Sequence, residues 1–169
     1  MKLFKDILSG DELFSDSFPT TEVDDIVYEV ETKMITKQEG NYDIGANASA
    51  EGGEEDEGFD PSVQQVNNLI DAMRLQQTAF DKKSYMVYIK EYMKKILSKL
   101  KETKPDRAEV FQAKIQPFVK KVLGEFDEYT FYTGENMDSE AMVPLSYYKE
   151  GETAPRFLFF KDGLSEEKV

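Results

Sequence analysis

Apolar residues recur at every second position early in the chain, at every third and fourth position in the middle, and at every second again near the end. Period two marks strands whose side chains point alternately to core and solvent; spacing of three and four marks one face of a helix. Residues 2–8, KLFKDIL, predict a short strand stopped by Ser9-Gly10-Asp11. The apolar pair Leu13 and Phe14 follows, before Pro19-Thr20-Thr21 breaks the pattern. From Asp25 to Lys37, Ile26, Tyr28, Val30 and Met34 share one face, with Glu29, Glu31, Lys33 and Lys37 on the other. That predicts a half-buried antiparallel strand, bent near Thr32.

Residues 63–80 place Val63, Val66, Ile70 and Met73 at helical spacing, so pattern and propensity alone predict a helix there. Residues 81–104 carry the clearest helical stripe: Tyr85, Tyr88, Ile89, Tyr92, Met93, Ile96 and Leu100. Lys83, Lys90, Lys94 and Lys101 lie on the far side, and Asp81 suits the N-cap. Pro105 fits the first turn of a second helix, favoured by Asp106 and Glu109 near its positive end. Ala108, Phe111, Ile115, Phe118, Val119 and Val122 form its stripe, and Gly124 ends it. So short a connection forces an antiparallel helical hairpin over 81–125, with a kink expected at Pro117. Period two then returns in Tyr129–Thr133, Met142–Lys149 and Arg156–Lys161. Polar turns separate these runs, and Asp162-Gly163 precedes a last short strand. Strands, then a hairpin, then strands again predict an α+β fold with a mainly antiparallel sheet.

One stretch fits neither period. Residues 38–62, centred on IGANASAEGGEEDEGFD, are rich in Gly, Ala, Ser and acid and can bury little surface against the entropy of ordering, so a long mobile acidic loop is expected. The remainder of the 169 residues suits a single domain spanning 1–169.

Composition narrows the chemistry. The chain contains no Cys and no His, which removes disulfides, thiolate nucleophiles, Cys/His zinc sites and histidine bases. No GxxxxGK[ST] or GxGxxG is present, so an enzyme is the least supported class and no cofactor is required. The net charge is −13, with no basic residue between Lys37 and Arg74, which argues against nucleic acid as a partner. No run approaches the length of a transmembrane helix, and acids come too early in residues 1–15 for a signal peptide. A soluble intracellular protein without a membrane partner is expected. The charge is also segregated. Between Asp81 and Glu125, twelve basic side chains face six acidic ones, a surplus of six positive charges on an otherwise acidic chain. Such asymmetry is more often a solvated helix face than a docking surface for an acidic partner.

Two oxygen-rich runs could attract a hard cation such as Ca²⁺. Glu51, Glu54, Glu55, Asp56, Glu57 and Asp60 lack EF-hand spacing, and adjacent residues point apart, so a solvated acidic run is the simpler account. Glu135, Asn136, Asp138 and Glu140 sit between strands and are better preorganised, though a turn explains them as well.

The run Ile44-Gly45-Ala46-Asn47-Ala48-Ser49-Ala50-Glu51-Gly52 closely resembles the first signature of the translationally controlled tumour protein (TCTP) family. Phe131-Tyr132-Thr133-Gly134-Glu135-Asn136-Met137-Asp138, followed by Ala141-Met142-Val143, resembles the second. Lys5-Asp6, Asp11-Glu12, Phe14-Ser15-Asp16, Tyr88–Lys94 and Phe160–Leu164 match in register, so the resemblance spans the chain. It implies a tent-like β body with a projecting helical hairpin, and an extended segment over 64–80, against the helix that pattern predicts there; the resemblance is preferred, because tertiary context overrides propensity. It also implies a cytoplasmic protein that binds calcium, associates with tubulin and microtubules, and is linked to growth control and a translation elongation factor; a monomer with at most weak calcium binding is expected. Exchange activity toward a Ras-like small GTPase is the alternative. Positions matching the family's exchange groove are Glu12, Leu75 and Glu135, and Asn47 matches a calcium-linked position. Thr130 stands where some relatives have an amide, which weakens the calcium inference. The chain ends in Val169 and not the Cys of many relatives, so no disulfide dimer through that residue is expected.

Overall fold

The computed structural model describes residues 1–38 and 63–168. The expected acidic loop, with Asn47 and the carboxylates from Glu51 to Asp60, lies outside the described residues apart from Gln38, which ends a strand. The strands are β1 (Lys2–Asp6), β2 (Glu12–Ser15), β3 (Thr20–Val23), β4 (Val27–Glu31), β5 (Met34–Gln38), β6 (Val63–Asn67), β7 (Gln76–Thr78), β8 (Thr130–Thr133), β9 (Leu145–Tyr147), β10 (Arg156–Phe160) and β11 (Leu164–Lys168). Among the described residues three α-helices join them: α1 (Asn68–Met73), α2 (Lys82–Thr103) and α3 (Pro105–Gly124). The pairings are antiparallel and give sheets ordered β11-β1-β2, β3-β4-β10-β9-β8-β7 and β5-β6. The expected α+β class, an antiparallel body carrying a helical hairpin, is what the chain adopts.

Two segments depart from expectation. The alternation from 25 to 37 is not one bent strand: it divides at Thr32-Lys33 between two sheets. Side-chain bonds enforce the break, since Asn67 Nδ2 donates to Thr32 Oγ1 (2.8 Å) and Lys33 N donates to Asn68 Oδ1 (2.9 Å). Residues 63–80 are neither one helix nor wholly extended. Asn67 caps a six-residue helix by accepting from Leu69 N and Ile70 N, at 3.0 and 3.1 Å. The helix stops where Arg74 turns left-handed, at φ 57°. β7 then pairs with β8. Helical propensity decides the middle of this segment; cap chemistry and sheet pairing decide its ends.

The hairpin matches its prediction closely. Asp81 caps α2 by accepting from Ser84 N at 2.7 Å, and Pro105 opens α3. α3 is continuous through Pro117 and ends at Gly124. Tyr85, Tyr92, Ile96, Phe111, Ile115 and Val122 are fully enclosed, so the tyrosine stripe of α2 is core and no stacking platform. Tyr85 meets Phe131 (ring centroids 5.0 Å) and Tyr92 meets Phe160 (5.5 Å), seating the hairpin on the six-stranded sheet. Arg107 of α3 anchors it, donating to Asp162 through Nε and Nη2 and to Asp25 through Nη1. Lys161 also reaches Asp25, at 2.7 Å, and these two cations hold the Asp25 carboxyl down at about 2.

Candidate functional site

The two ends of the chain meet at the β1–β2 turn. Asp6, only 2% exposed, accepts from Leu8 N (2.8 Å), Ser9 Oγ (3.1 Å) and, across 136 residues, Met142 N (2.8 Å). Burial pushes its carboxyl up despite these donors. Asp11, also buried, accepts from the backbone N–H and the side-chain amide of Asn136. A Cβ on Gly134 would overlap the Asp11 carboxylate, so the clasp needs glycine there. Beneath it, Tyr88 Oη donates to Ala141 O (2.6 Å) and accepts from Val143 N (2.9 Å). The buried Tyr92 hydroxyl has no partner among the described residues and is packed so closely on Gly163 that a Cβ there would overlap it. The residues that resemble family motifs near positions 5, 11, 88, 134, 141 and 163 thus converge on one joint.

This joint positions the acidic rim. Glu12 and Glu135 are exposed and flank the Asp11–Asn136 clasp, so the fold brings them to one edge. Glu135 already pairs with Arg74, Nη1 to Oε2 at 2.9 Å. Leu75, the third candidate for this groove, is 4% exposed and belongs to the core below the rim. The calcium candidates are committed to different partners. Glu135 faces Arg74, Asn136 donates to Asp11, and Asp138 accepts from Glu140 N at 3.0 Å. No group of three or more acidic side chains that could hold a metal ion occurs among the described residues.

The basic face lies elsewhere. Lys83, Lys90, Lys94 and Lys101 are exposed on α2 and follow one another at intervals of seven and four residues, which places them on one stripe. Lys94 makes a loose contact with Glu91, at 3.7 Å. Lys83 feels the charge of Asp81, and Lys90 and Lys101 have no acidic partner among the described residues. Between α2 and α3 the stripe borders an apolar groove of about 660 Å³, lined by Met86, Ile89, Met93 and Leu123 with Lys90 and Lys120 at its edge. A second groove, about 320 Å³, adds Val87, Leu97 and Lys94. Met86 and Val87 are 39% and 61% exposed.

Reasoning from periodicity found the lysine stripe but missed Asp6, Asp11, Tyr88 and Arg74 as the groups that build the rim. Asp11 and Asn136 are 125 residues apart, and each alone is an ordinary turn residue. The one available signal was the set of short runs resembling family signatures.

Comparison with known proteins accords with that signal. The sequence pattern of the translationally controlled tumour protein family matches residues 1–165. A homologue from Dictyostelium discoideum is 53% identical over 173 aligned residues, covering 99% of both chains. One from Schizosaccharomyces pombe is 53% identical over 169, with the same coverage. Among solved structures, the tumour-associated protein p23fyp of Schizosaccharomyces pombe superposes with a TM-score of 0.84 at 51% identity, covering the whole of both chains. A solution structure of the Caenorhabditis elegans protein gives 0.73 at 32% identity, over all of this chain and 99% of that one. The chain belongs to the translationally controlled tumour protein family.

Proposed function

We propose that this chain is a non-enzymatic cytoplasmic binding protein whose helical hairpin docks acidic partners. One observation carries the reading: an exposed lysine stripe on α2 borders an apolar groove, on a chain of net charge −13. Local attraction at the stripe orients the partner against the net repulsion of the acidic chain, and the methionine-lined groove supplies adaptable contact area. Tubulin, a partner that the family resemblance implies, is the acidic surface this reading assigns to the stripe; a translation elongation factor is the other partner that the resemblance implies. Replacing Lys83, Lys90, Lys94 and Lys101 together by glutamate reverses the stripe without touching the core. Microtubule co-sedimentation is expected to be lost, while wild-type binding weakens with added salt. Unchanged pelleting of the quadruple variant would refute the reading.

A second reading rests on the acidic rim. Glu12 and Glu135, next to the hydrogen-bonded pair Asp11 and Asn136, suit a GTPase-regulating edge that competes for the Mg²⁺ or phosphate-loop lysine of a Ras-like partner. Glu12→Ala is then expected to slow catalysed nucleotide release in stopped flow; an unaltered rate sinks the idea.

Weak calcium binding belongs to the same proposal, with the rim loop as its seat. The ion must compete with Arg74 for Glu135, so affinity in the range of weakly preorganised sites is expected. In a calcium titration followed by amide NMR, shifts should centre on residues 135–140, and Arg74→Ala should strengthen them. Shifts spread evenly over all acids would indicate nonspecific screening.

A further inference from the structure

A cleft of about 600 Å³ opens where α2 ends and α3 begins, against the outer faces of β1 and β11. Its floor is apolar: Phe4 and Leu100 are buried beneath it, and Ile7, Tyr28 and Leu164 are half-buried along it. Its rim carries Lys99, Thr103, Lys104 and Ser165.

The charges around this floor do not balance. Of the lining cations, Arg107 is saturated by Asp162 and Asp25, and Lys161 is held by Asp25 (2.7 Å) and Glu22 (3.1 Å). Of the lining acids, Asp162 is taken up by Arg107, and Glu166 pairs with Lys2 at 3.3 Å. That leaves Lys99 and Lys104, both exposed and with no acidic partner among the described residues. They flank an apolar floor on a chain whose overall charge repels anions. Two unmatched ammonium groups above half-buried apolar surface are complementary to an anionic headgroup on a short apolar tail. A bare anion gains nothing from the floor, and a neutral tail leaves the lysines unmatched.

We propose that this cleft binds an apolar-tailed anion, a carboxylate or phosphate monoester. Lys99 and Lys104 take the headgroup, and the tail lies over Ile7, Tyr28 and Leu164. Such a ligand would bridge the hairpin to β11. This site is separate from the Lys83–Lys101 stripe and does not depend on it.

The test is an amide-NMR titration of the full chain with octanoate and with hexyl phosphate, alongside inorganic phosphate and hexanol as headgroup-only and tail-only probes. Shifts are expected at residues 99–104 and 164–166, with both amphiphiles binding at least about tenfold more tightly than either half-probe. Lys99→Glu with Lys104→Glu should weaken octanoate by about tenfold or more, the worth of a charge-assisted hydrogen bond. Ser165→Trp, adding bulk at an exposed lining position, should block it at unchanged melting temperature. Lys120→Glu, in the other groove, should leave it unaffected. Shifts centred on Met86 and Leu123, undiminished affinity in the double-lysine variant, or equal binding of inorganic phosphate would each overturn the proposal.

Discussion

Phe14→Ala is expected to lower the unfolding free energy by about 3–5 kcal/mol, the range for removing a fully enclosed aromatic ring. Phe14 has no exposed surface and stands where two sheets join. Its ring stacks on Phe4 at 4.4 Å and 11°, meets Phe159 of the six-stranded sheet at 4.6 Å, and touches the edge of Tyr28 at 6.1 Å. Truncation therefore removes transfer energy and ring contacts together, and leaves a cavity between two rigid sheets that cannot both move inward. Against a total stability typically of about 5–15 kcal/mol, such a loss is severe. Chemical denaturation should show the midpoint fall with little change in slope. Phe14→Leu, which keeps most of the apolar volume, should lose clearly less. If the alanine variant lost under about 1 kcal/mol, the surrounding rings would have to be repacking into the gap.

Asp6→Ala is the second large effect, expected at about 2–4 kcal/mol. The carboxylate serves Leu8 N, Ser9 Oγ and Met142 N from a nearly closed site, and alanine leaves buried donors without acceptors, each costing about 1–3 kcal/mol. Relief of the cost of burying a carboxylate offsets part of that loss. Because Met142 N is the contact across the joint, its amide exchange should accelerate more than amides of α2 do. Uniform acceleration would place the effect in global stability alone. Asp6→Asn keeps an accepting oxygen and should fall between. The pH dependence has a distinct sign. Asp6 has its folded value raised above 3.8, so its contribution is full below 3.8 and is lost as pH rises through the raised value. Asp25 acts oppositely: held down at about 2, its contribution is present above 3.8 and disappears as pH falls through about 2. Asp6→Asn should therefore remove a stabilising increment on mild acidification, whereas Asp25→Asn should flatten the acid limb.

The hairpin and the rim are held in place by separate sets of contacts. The lysine stripe sits on a helix whose inner tyrosines fix it to the sheet, whereas the rim hangs on the Asp6, Asp11 and Tyr88 contacts. Changes at the joint should disturb the rim more than the stripe.

Local chemistry in the sequence determined the hairpin almost residue by residue. Asp81, the apolar stripe, Pro105 and Gly124 are signals whose partners lie within a few positions, so periodicity and cap chemistry suffice to read them. Short runs, taken as family resemblance, likewise determined the fold class and membership. What only the tertiary structure decided is which distant residues meet. Nothing local in Thr32 says that Asn67 will break its strand, and nothing in Leu75 says that it lies beneath a rim and not on it. Asp6 and Asp11 look like solvated turn acids until chain closure brings Met142 and Asn136 onto them. A carboxylate's role depends on what desolvates it and what donates to it, and here those groups arrive from the other end of the chain.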